Sequence, residues 1–343
     1  MRSRPHRIAV VRLSAIGDTV HVMPVIASIK RAWPDCHLTW VIQPIPLELM
    51  RGRCDVDEFV VFDRSRGARA YLDFRREVAH REFDLVLDMH PCFKAGVVAR
   101  MLRAPRRIGY DRRRARDLSW LATNRRIPAR PRRHVQDECF EFLDYLGVPV
   151  HAEWNFHFSA AERAAQRLWR RGHERPVLAV VTRSSRREKD WILRRYARVL
   201  DVAAGDLGFD TILVGGESRG EMADARELTR TCRFPPTVEL RYDLRRLAWL
   251  LDASDAVLAP DTGPLHMAVG LGTPTVGLYG ATDPERAGPY RAFADLLIDR
   301  FTPPRRGAPS PARRSGNMEK IREDDVIEKL DLLRRRYIGA PRR

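Results

Sequence analysis

The chain has 343 residues, which is too long for one ordinary hydrophobic core and favours two domains of about 150 to 180 residues. Its five cysteines are odd in number and form no C-x-x-C pair, which argues against a disulfide framework or a zinc site and favours a reducing cytoplasm. There is no run of about 18 apolar residues and no apolar stretch near the N-terminus, so we expect neither a membrane span nor a secretory signal.

The formal net charge of +17 is concentrated in one stretch of the chain. Residues 103–133 contain twelve arginines and two aspartates, and so hold ten of the excess positive charges. This pattern predicts one strongly basic local face. It could be a solvated surface, or it could bind a polyanionic substrate or an anionic membrane.

The first half alternates short apolar runs with helical patterns, which predicts a doubly wound parallel sheet. A helix is expected over 19–33, and Pro24 suggests that its first turn is irregular or that the regular helix begins near Met23. A further helix is expected over 95–103. The predicted strands are 7–12, 38–42, 59–62 and 84–88.

Gly17 and Asp18 follow the first predicted strand, where open parallel sheets place ligands and catalytic groups. Asp18 could equally be the N-cap of the next helix, and His21 a packing or surface residue. Asp55-Val56-Asp57 has the D-x-D spacing of metal-dependent sugar transfer, but its position before an apolar strand favours a turn.

The second half repeats this layout after a predicted helix over 160–170 and a linker over 171–176. The loop over 183–190 contains Lys189, one of five lysines among 62 basic residues. A compact ammonium after a strand suits a diphosphate, although chance placement is the alternative. The predicted strands are 177–182, 211–214, 256–259 and 275–279, and the predicted helices begin near 193, 222, 244 and 264.

The turn Asp261-Thr262-Gly263 lies between a buried strand and a helix, so its free N–H groups predict an anion site. Beyond it, residues 303–316 are rich in Pro, Arg and Ser and are expected to be loose. A last helix from Met318 is expected to pack on the body through a stripe at i, i+4, i+7 and i+11, formed by Val326, Leu330, Leu333 and Tyr337.

Several of these segments together resemble glycosyltransferase family 9, the ADP-heptose:lipopolysaccharide heptosyltransferases, and are most similar to heptosyltransferases I. The first matching segment is 8–30, which contains Arg-Leu-Ser-Ala-Ile-Gly-Asp-Thr-Val-His over 12–21. The others are 83–94, 184–191, 214–221, 261–266 and 279–284. The resemblance implies an α/β fold of GT-B type with two Rossmann-like domains facing across a cleft. The expected domains are 1–170 for the acceptor, 176–302 for the nucleotide sugar, and 303–343 as a loose segment and C-terminal helix.

The resemblance also implies residue roles. Asp18 is similar to the catalytic base of the family. The positions similar to donor contacts are Ser184, Ser185, Lys189, Asp261, Thr262, Gly263 and His266, with Glu221, or otherwise Glu217, for the nucleoside. The positions expected to meet the acceptor are Gly17, His21, Lys94, Arg112 and Arg113.

The implied activity is inverting, metal-independent transfer of heptose from ADP-heptose to the Kdo or inner-core region of lipopolysaccharide, with no cofactor. The expected partners are this donor, an anionic lipopolysaccharide precursor and, transiently, the cytoplasmic face of the inner membrane. A paralogue with another acceptor or nucleotide sugar is the alternative. A basic nucleic-acid-binding protein is a remote one, because the arginine-rich stretch has few aromatic residues and no recognisable binding module.

Overall fold

The computed structural model describes residues 4–302 and 317–338. The chain divides into two compact units between His157 and Phe158. Each unit is built around its own six-stranded parallel sheet, and each is described by itself below.

The sheet of the first unit has the order β3-β2-β1-β4-β5-β6, with every neighbouring pair parallel. Its strands are β1 (Arg7–Val11), β2 (His37–Ile42), β3 (Glu58–Val61), β4 (Leu85–Asp88), β5 (Arg106–Gly109) and β6 (Arg125–Arg126). The helices are α1 (Ile16–Ala32), α2 (Pro44–Met50), α3 (Ala68–Val78), α4 (Phe93–Met101) and α5 (Val135–Leu146). The central strand β1 is buried from Ile8 to Val11, as expected for a parallel sheet covered on both faces.

The sheet of the second unit has the order β12-β11-β10-β7-β8-β9, again parallel throughout. Its strands are β7 (Val177–Val180), β8 (Asp210–Val214), β9 (Thr237–Glu239), β10 (Ala256–Pro260), β11 (Thr275–Tyr279) and β12 (Leu297–Asp299). The helices are α6 (Ala160–Arg171), α7 (Leu193–Gly205), α8 (Arg219–Thr231), α9 (Leu244–Ala253), α10 (Gly263–Leu271), α11 (Pro284–Ala287) and α12 (Glu323–Tyr337). Within the described ranges, none of the helices is long and apolar enough to cross a bilayer.

Both sheets reverse their strand order at one point, between β1 and β4 in the first and between β7 and β10 in the second. In open α/β sheets, ligands bind beyond the carboxyl ends of the two strands that flank this reversal. The loops after β1, β4, β7 and β10 are therefore where a functional site is expected. This doubly wound α/β architecture confirms the predicted fold class.

The boundary between the units differs from the one expected at residue 170. Helix α6 belongs to the second unit because its polar side chains bond to α9. Gln166 Nε2 donates to the carbonyl of Trp249 at 3.0 Å, and Arg245 pairs with Glu162 at 2.7 Å. The sequence shows that α6 is amphipathic but does not show which sheet it covers.

The C-terminal helix α12 packs on the second unit, against α7 and the sheet. Val326, Leu330 and Leu333 are fully buried in the apolar core of this unit. Just before the helix, the carbonyl of Ile321 accepts a hydrogen bond from Trp191 Nε1 at 3.1 Å. The end of the chain thus supports the loop that contains Lys189. The loose segment predicted over 303–316 lies outside the described residues.

Candidate active site

Asp18 lies in the first turn of α1, directly after β1. It is not the N-cap of this helix, because the helix begins at Ile16 and Asp18 occupies its third position. From there the carboxylate reaches back, and Oδ2 accepts a hydrogen bond from the N–H of Ala15 at 3.1 Å. The helix also runs unbroken through Pro24, so the irregular first turn expected from that proline is absent.

Arg12, the residue that follows β1, holds the other oxygen of this carboxylate. Its Nη2 lies 2.5 Å from Asp18 Oδ1, and its Nη1 donates to the carbonyl of Met89. Burial alone would raise the pKa of Asp18, but the charge of Arg12 and the Ala15 hydrogen bond lower it to about 2. The Asp18 side chain remains 38% exposed, so a fixed, ionised carboxylate is accessible to a substrate.

Asp88 and His90 lie beneath this loop at the end of β4, which pairs with β1 through Val11 and Asp88. Burial raises the pKa of Asp88 to about 7, because the 3.3 Å hydrogen bond from the N–H of His90 and the charge of Arg12 offset only part of the effect of burial. Burial together with the charge of Arg12 lowers the pKa of His90 to about 3. The neutral imidazole accepts a hydrogen bond from the N–H of Leu13 at 3.3 Å and so supports the Asp18 loop.

Of the predicted acceptor residues, Gly17, Lys94, Arg112 and Arg113 lie at the carboxyl edge of the first sheet, as Asp18 does. Gly17 is in the first turn of α1, and Lys94 is exposed in the first turn of α4. Arg112 and Arg113 follow β5 and are exposed, and the Arg112 guanidinium stacks on Trp120 at 4.3 Å. The topology therefore brings these residues to one edge.

His21, the fifth residue expected to meet the acceptor, is buried between two helices. It is 5% exposed, its Nδ1 lies 2.9 Å from Gln136 Oε1, and its carbonyl accepts from Gln136 Nε2 at 2.9 Å. These contacts join α1 to α5. His21 therefore packs at the interface between α1 and α5, in line with its alternative interpretation as a packing residue.

The arginine-rich stretch does not form the single basic face that its charge predicted. It contains strands β5 and β6, and its arginines are divided among different surroundings. Arg114 is buried, with Nε 2.5 Å from Asp111 and Nη1 2.6 Å from Glu141. Arg106 and Arg125 open their strands at the amino edge of the sheet and line a cavity of about 760 Å³ there.

In the second unit, the carboxylate of Asp261 joins the residues predicted to bind the donor. Asp261 follows β10 and is 5% exposed. Lys189 Nζ lies 2.6 Å from Oδ2, His266 Nε2 lies 3.2 Å from Oδ1, and the Thr282 hydroxyl donates to Oδ2 at 2.7 Å. Burial alone would raise the pKa of Asp261, but the His266 hydrogen bond and the charges of His266 and Lys189 lower it.

The N-terminus of α10 adjoins this cluster. Thr262 is the N-cap, and its Oγ1 is buried without a hydrogen-bond partner in the described part of the chain. Gly263 is the first residue of the helix, where N–H groups have no partner within the helix. Lys189 and this helix end together form a positively polarised site that suits an anion.

Ser184 and Ser185 follow β7, and Glu221 follows the neighbouring strand β8. The Ser184 hydroxyl donates to the carbonyl of Arg186 at 2.5 Å, whereas Ser185 is exposed. Glu221 closes a capping box with Ser218 at the start of α8 and accepts from the N–H of Gly216 at 2.9 Å. Its described contacts thus shape the loop after β8, while Glu217 beside it is exposed.

Comparison with known proteins gives this geometry a family. Residues 71–304 match the family model described as Glycosyltransferase family 9 (heptosyltransferase). The chain is 30% identical to lipopolysaccharide core heptosyltransferase OpsX of Haemophilus influenzae, over 85% of this chain and 84% of that protein. The chain belongs to glycosyltransferase family 9. It is therefore a glycosyltransferase, and the family expected from its motifs is confirmed.

Two further relatives agree with this assignment. Lipopolysaccharide heptosyltransferase 1 of Salmonella typhimurium is 23% identical over 83% of this chain and 91% of that protein. The structure of Escherichia coli heptosyltransferase WaaC with ADP matches with a TM-score of 0.75 at 19% identity, covering 95% of this chain and 99% of that one. This likeness confirms the GT-B fold of the family 9 enzyme.

The motifs missed Arg12, Asp88, His90 and Thr282 as parts of the two clusters. All four stand inside the quoted motifs, and Asp88 also ends the predicted strand 84–88. The signal that could have found them is the strand order, because β4 and β11 lie beside β1 and β10.

Asp55 and Asp57, the residues with D-x-D spacing, each form an ion pair with a basic side chain of the same unit. Asp57 Oδ2 lies 2.7 Å from Lys30 Nζ and accepts from the N–H of Leu38, while Asp55 pairs with Arg53. These contacts fit the turn predicted for this pair. Within 4–302 and 317–338, no group of three or more His, Cys, Asp or Glu side chains is arranged to hold a metal ion.

Proposed function

We propose that this family 9 enzyme transfers L-glycero-D-manno-heptose from ADP-heptose to the Kdo or inner-core region of a lipopolysaccharide precursor. Its relatives are named for lipopolysaccharide heptosyltransfer, which supports this substrate class. The observation that carries the proposal is the cluster of Lys189, Asp261 and His266 at the N-terminus of α10.

The second unit supplies the donor half of the reaction. As the bond between heptose and ADP breaks, negative charge develops on the diphosphate, and preorganised positive groups stabilise it. Lys189 and the N–H groups at the start of α10 have this role, with Ser184 and Ser185 at the rim. Asp261 repels a diphosphate, so it acts by orienting Lys189 and His266 or by contacting sugar hydroxyls, and Glu221 serves the nucleoside side.

The first unit supplies the acceptor half. Asp18 takes the proton of the attacking hydroxyl, and Lys94, Arg112 and Arg113 attract the anionic groups of the acceptor near Gly17. A carboxylate whose pKa is held near 2 is a weak base, so we expect it to take the proton late, when the new bond is largely formed. With one such carboxylate, direct displacement with inversion follows.

The proposal assigns charge stabilisation of the leaving group to Lys189 and a helix end, so it requires no metal ion and no cofactor. We also propose that the enzyme acts at the cytoplasmic face of the inner membrane. The net charge of +17 and the exposed arginines after β5 support transient contact with an anionic bilayer.

The test is release of ADP from ADP-heptose with a panel of acceptors, each with and without EDTA. We expect turnover with Kdo-bearing lipid A that EDTA does not change. Turnover only with a heptosylated core would assign the enzyme to a later step, and turnover only with another nucleotide sugar would refute the donor. Cosedimentation with vesicles tests the proposed membrane contact. We expect the protein to bind anionic vesicles and not neutral ones.

A further inference from the structure

Cys54 lies in a chain of four side chains that no step of sugar transfer uses. Its Sγ lies 3.0 Å from Nδ1 of His157, and Nε2 of the same ring lies 3.8 Å from Asp55 Oδ1. Asp55 in turn pairs with Arg53. The order is thiol, imidazole, carboxylate and guanidinium.

This arrangement is held by the buried side chain of Arg53. The Arg53 side chain is 1% exposed, and besides Asp55 it binds the carbonyl of Asn155 at 2.8 Å. Asn155 Oδ1 accepts from the N–H of His157 at 2.8 Å. Arg53 therefore joins the segment that contains Cys54 to the segment that contains His157, although these residues lie 103 positions apart in the chain.

The four groups are ordered so that their charges alternate once a proton has moved from the thiol to the imidazole. When the thiol proton moves to Nδ1, the imidazolium lies between the new thiolate and the Asp55 carboxylate, and Arg53 balances the latter. A nucleophile within reach of a base that a third group orients is the arrangement of activated thiols. Cys54 is exposed, so a reagent can reach its sulfur, whereas Cys36, Cys139 and Cys232 are buried.

The same geometry argues against a metal site. The thiol and the carboxylate address opposite nitrogens of one imidazole ring, so they lie on different sides of it and cannot bind one ion together with that ring. The cluster is suited to proton transfer instead.

We propose that Cys54 is a reactive thiol that undergoes exchange with low-molecular-weight disulfides. His157 takes the Sγ–H proton, and the thiolate attacks one sulfur of the disulfide. A new S–S bond forms as the old one breaks, and the departing thiolate takes up one proton. The products are a mixed disulfide on Cys54 and one free small thiol. The Cys54 sulfur is oxidised and the leaving sulfur is reduced, so no other oxidant is needed.

The test follows Cys54 by peptide-resolved mass spectrometry. Intact protein is treated with iodoacetamide to measure rates and with glutathione disulfide to detect the adduct. Allowing for the lower intrinsic nucleophilicity of a stabilised thiolate, we expect wild type to exceed His157→Gln about threefold at pH 7 and about tenfold at pH 6. Glutathione disulfide should add one glutathionyl group at Cys54 of wild type, and Cys54→Ser should lose that adduct.

Equal rates in wild type and His157→Gln at both pH values, with unchanged thermal unfolding, would overturn the proposal. If His157→Gln does not fold, the proposal is tested on wild type alone by comparing the folded with the unfolded protein. The rate at Cys54 at pH 6 should fall about tenfold when the protein is unfolded in urea. A rate in the folded protein equal to or below the unfolded rate would contradict an activated thiol. No residue assigned to sugar transfer is altered, so this result is independent of the proposed activity.

Discussion

Replacing Arg12 by glutamine removes the charge that keeps Asp18 ionised at low pH. The guanidinium lies 2.5 Å from Asp18 Oδ1, and an opposite charge at such a distance lowers the pKa of a carboxyl by about 1 to 3 units. Without that charge, burial raises the pKa of Asp18 with less opposition. We therefore expect its pKa to rise from about 2 into the range of about 3 to 5.

The assay is the pH dependence of kcat/KM for ADP release, measured for Arg12→Gln and Arg12→Lys relative to wild type at each pH. Dividing by wild type cancels the ionisation of donor and acceptor. The ratio for the glutamine variant should fall as the pH decreases from 6 to 4, since an increasing fraction of Asp18 becomes protonated. Lysine keeps the charge, so its ratio should stay flat even if its absolute value is reduced by the loss of the bond to Met89. A flat ratio for both variants would refute the assigned role of Arg12.

Three further predictions concern charged side chains, most of them buried. Asp261→Asn should lower the free energy of unfolding by about 3 kcal/mol, because it breaks a buried ion pair, and it should weaken ADP-heptose binding. Thr282→Val removes only one hydrogen bond to the same carboxylate and should lower the free energy of unfolding by about 1 kcal/mol. Equal thermal shifts in the two variants would contradict the central position of Asp261. The pKa of Asp88 is raised to about 7, so the protonated side chain that stabilises the fold is lost as the pH rises toward 7. Between pH 5 and 8 the free energy of unfolding of wild type should therefore fall by about 2 to 3 kcal/mol relative to Asp88→Asn. Parallel curves of stability against pH for the two proteins would refute this ionisation. Arg114→Met should lower the unfolding temperature of the first unit, while Arg112→Gln should raise KM for the acceptor at nearly unchanged unfolding temperature; the reverse pattern would show that these two arginines have been assigned the wrong way round.

The fold could be predicted well from local pattern, because buried parallel strands are short apolar runs between turns. Strands such as Ala256–Pro260 and Thr275–Tyr279 were predicted within a residue. The strands β5 and β6 were missed, because Arg106–Gly109 and Arg125–Arg126 are short and rich in arginine. Charge density there indicated surface, although strand pairing decides the structure.

The candidate site could be predicted where one loop carries the chemistry. Asp18, Lys189, Asp261 and His266 each follow a recognisable strand, and their roles in the site remain predictions from the motifs. The cation partner of Asp18 was not identified, because the geometry of Arg12 depends on how the chain turns after β1. The contact of His21 with Gln136, a residue 115 positions away, was not predicted, because periodicity does not reveal long-range contacts.

The most direct test of the central claim is turnover by Asp18→Asn. Asparagine has nearly the same size and can still accept the hydrogen bond from Ala15, but it cannot take a proton. Turnover of ADP-heptose with the Kdo-bearing acceptor should fall by about 10² to 10⁴. The affinity for ADP-heptose should be unchanged, because the residues that we propose to bind the donor lie in the other unit. Wild-type turnover in this variant would contradict the account.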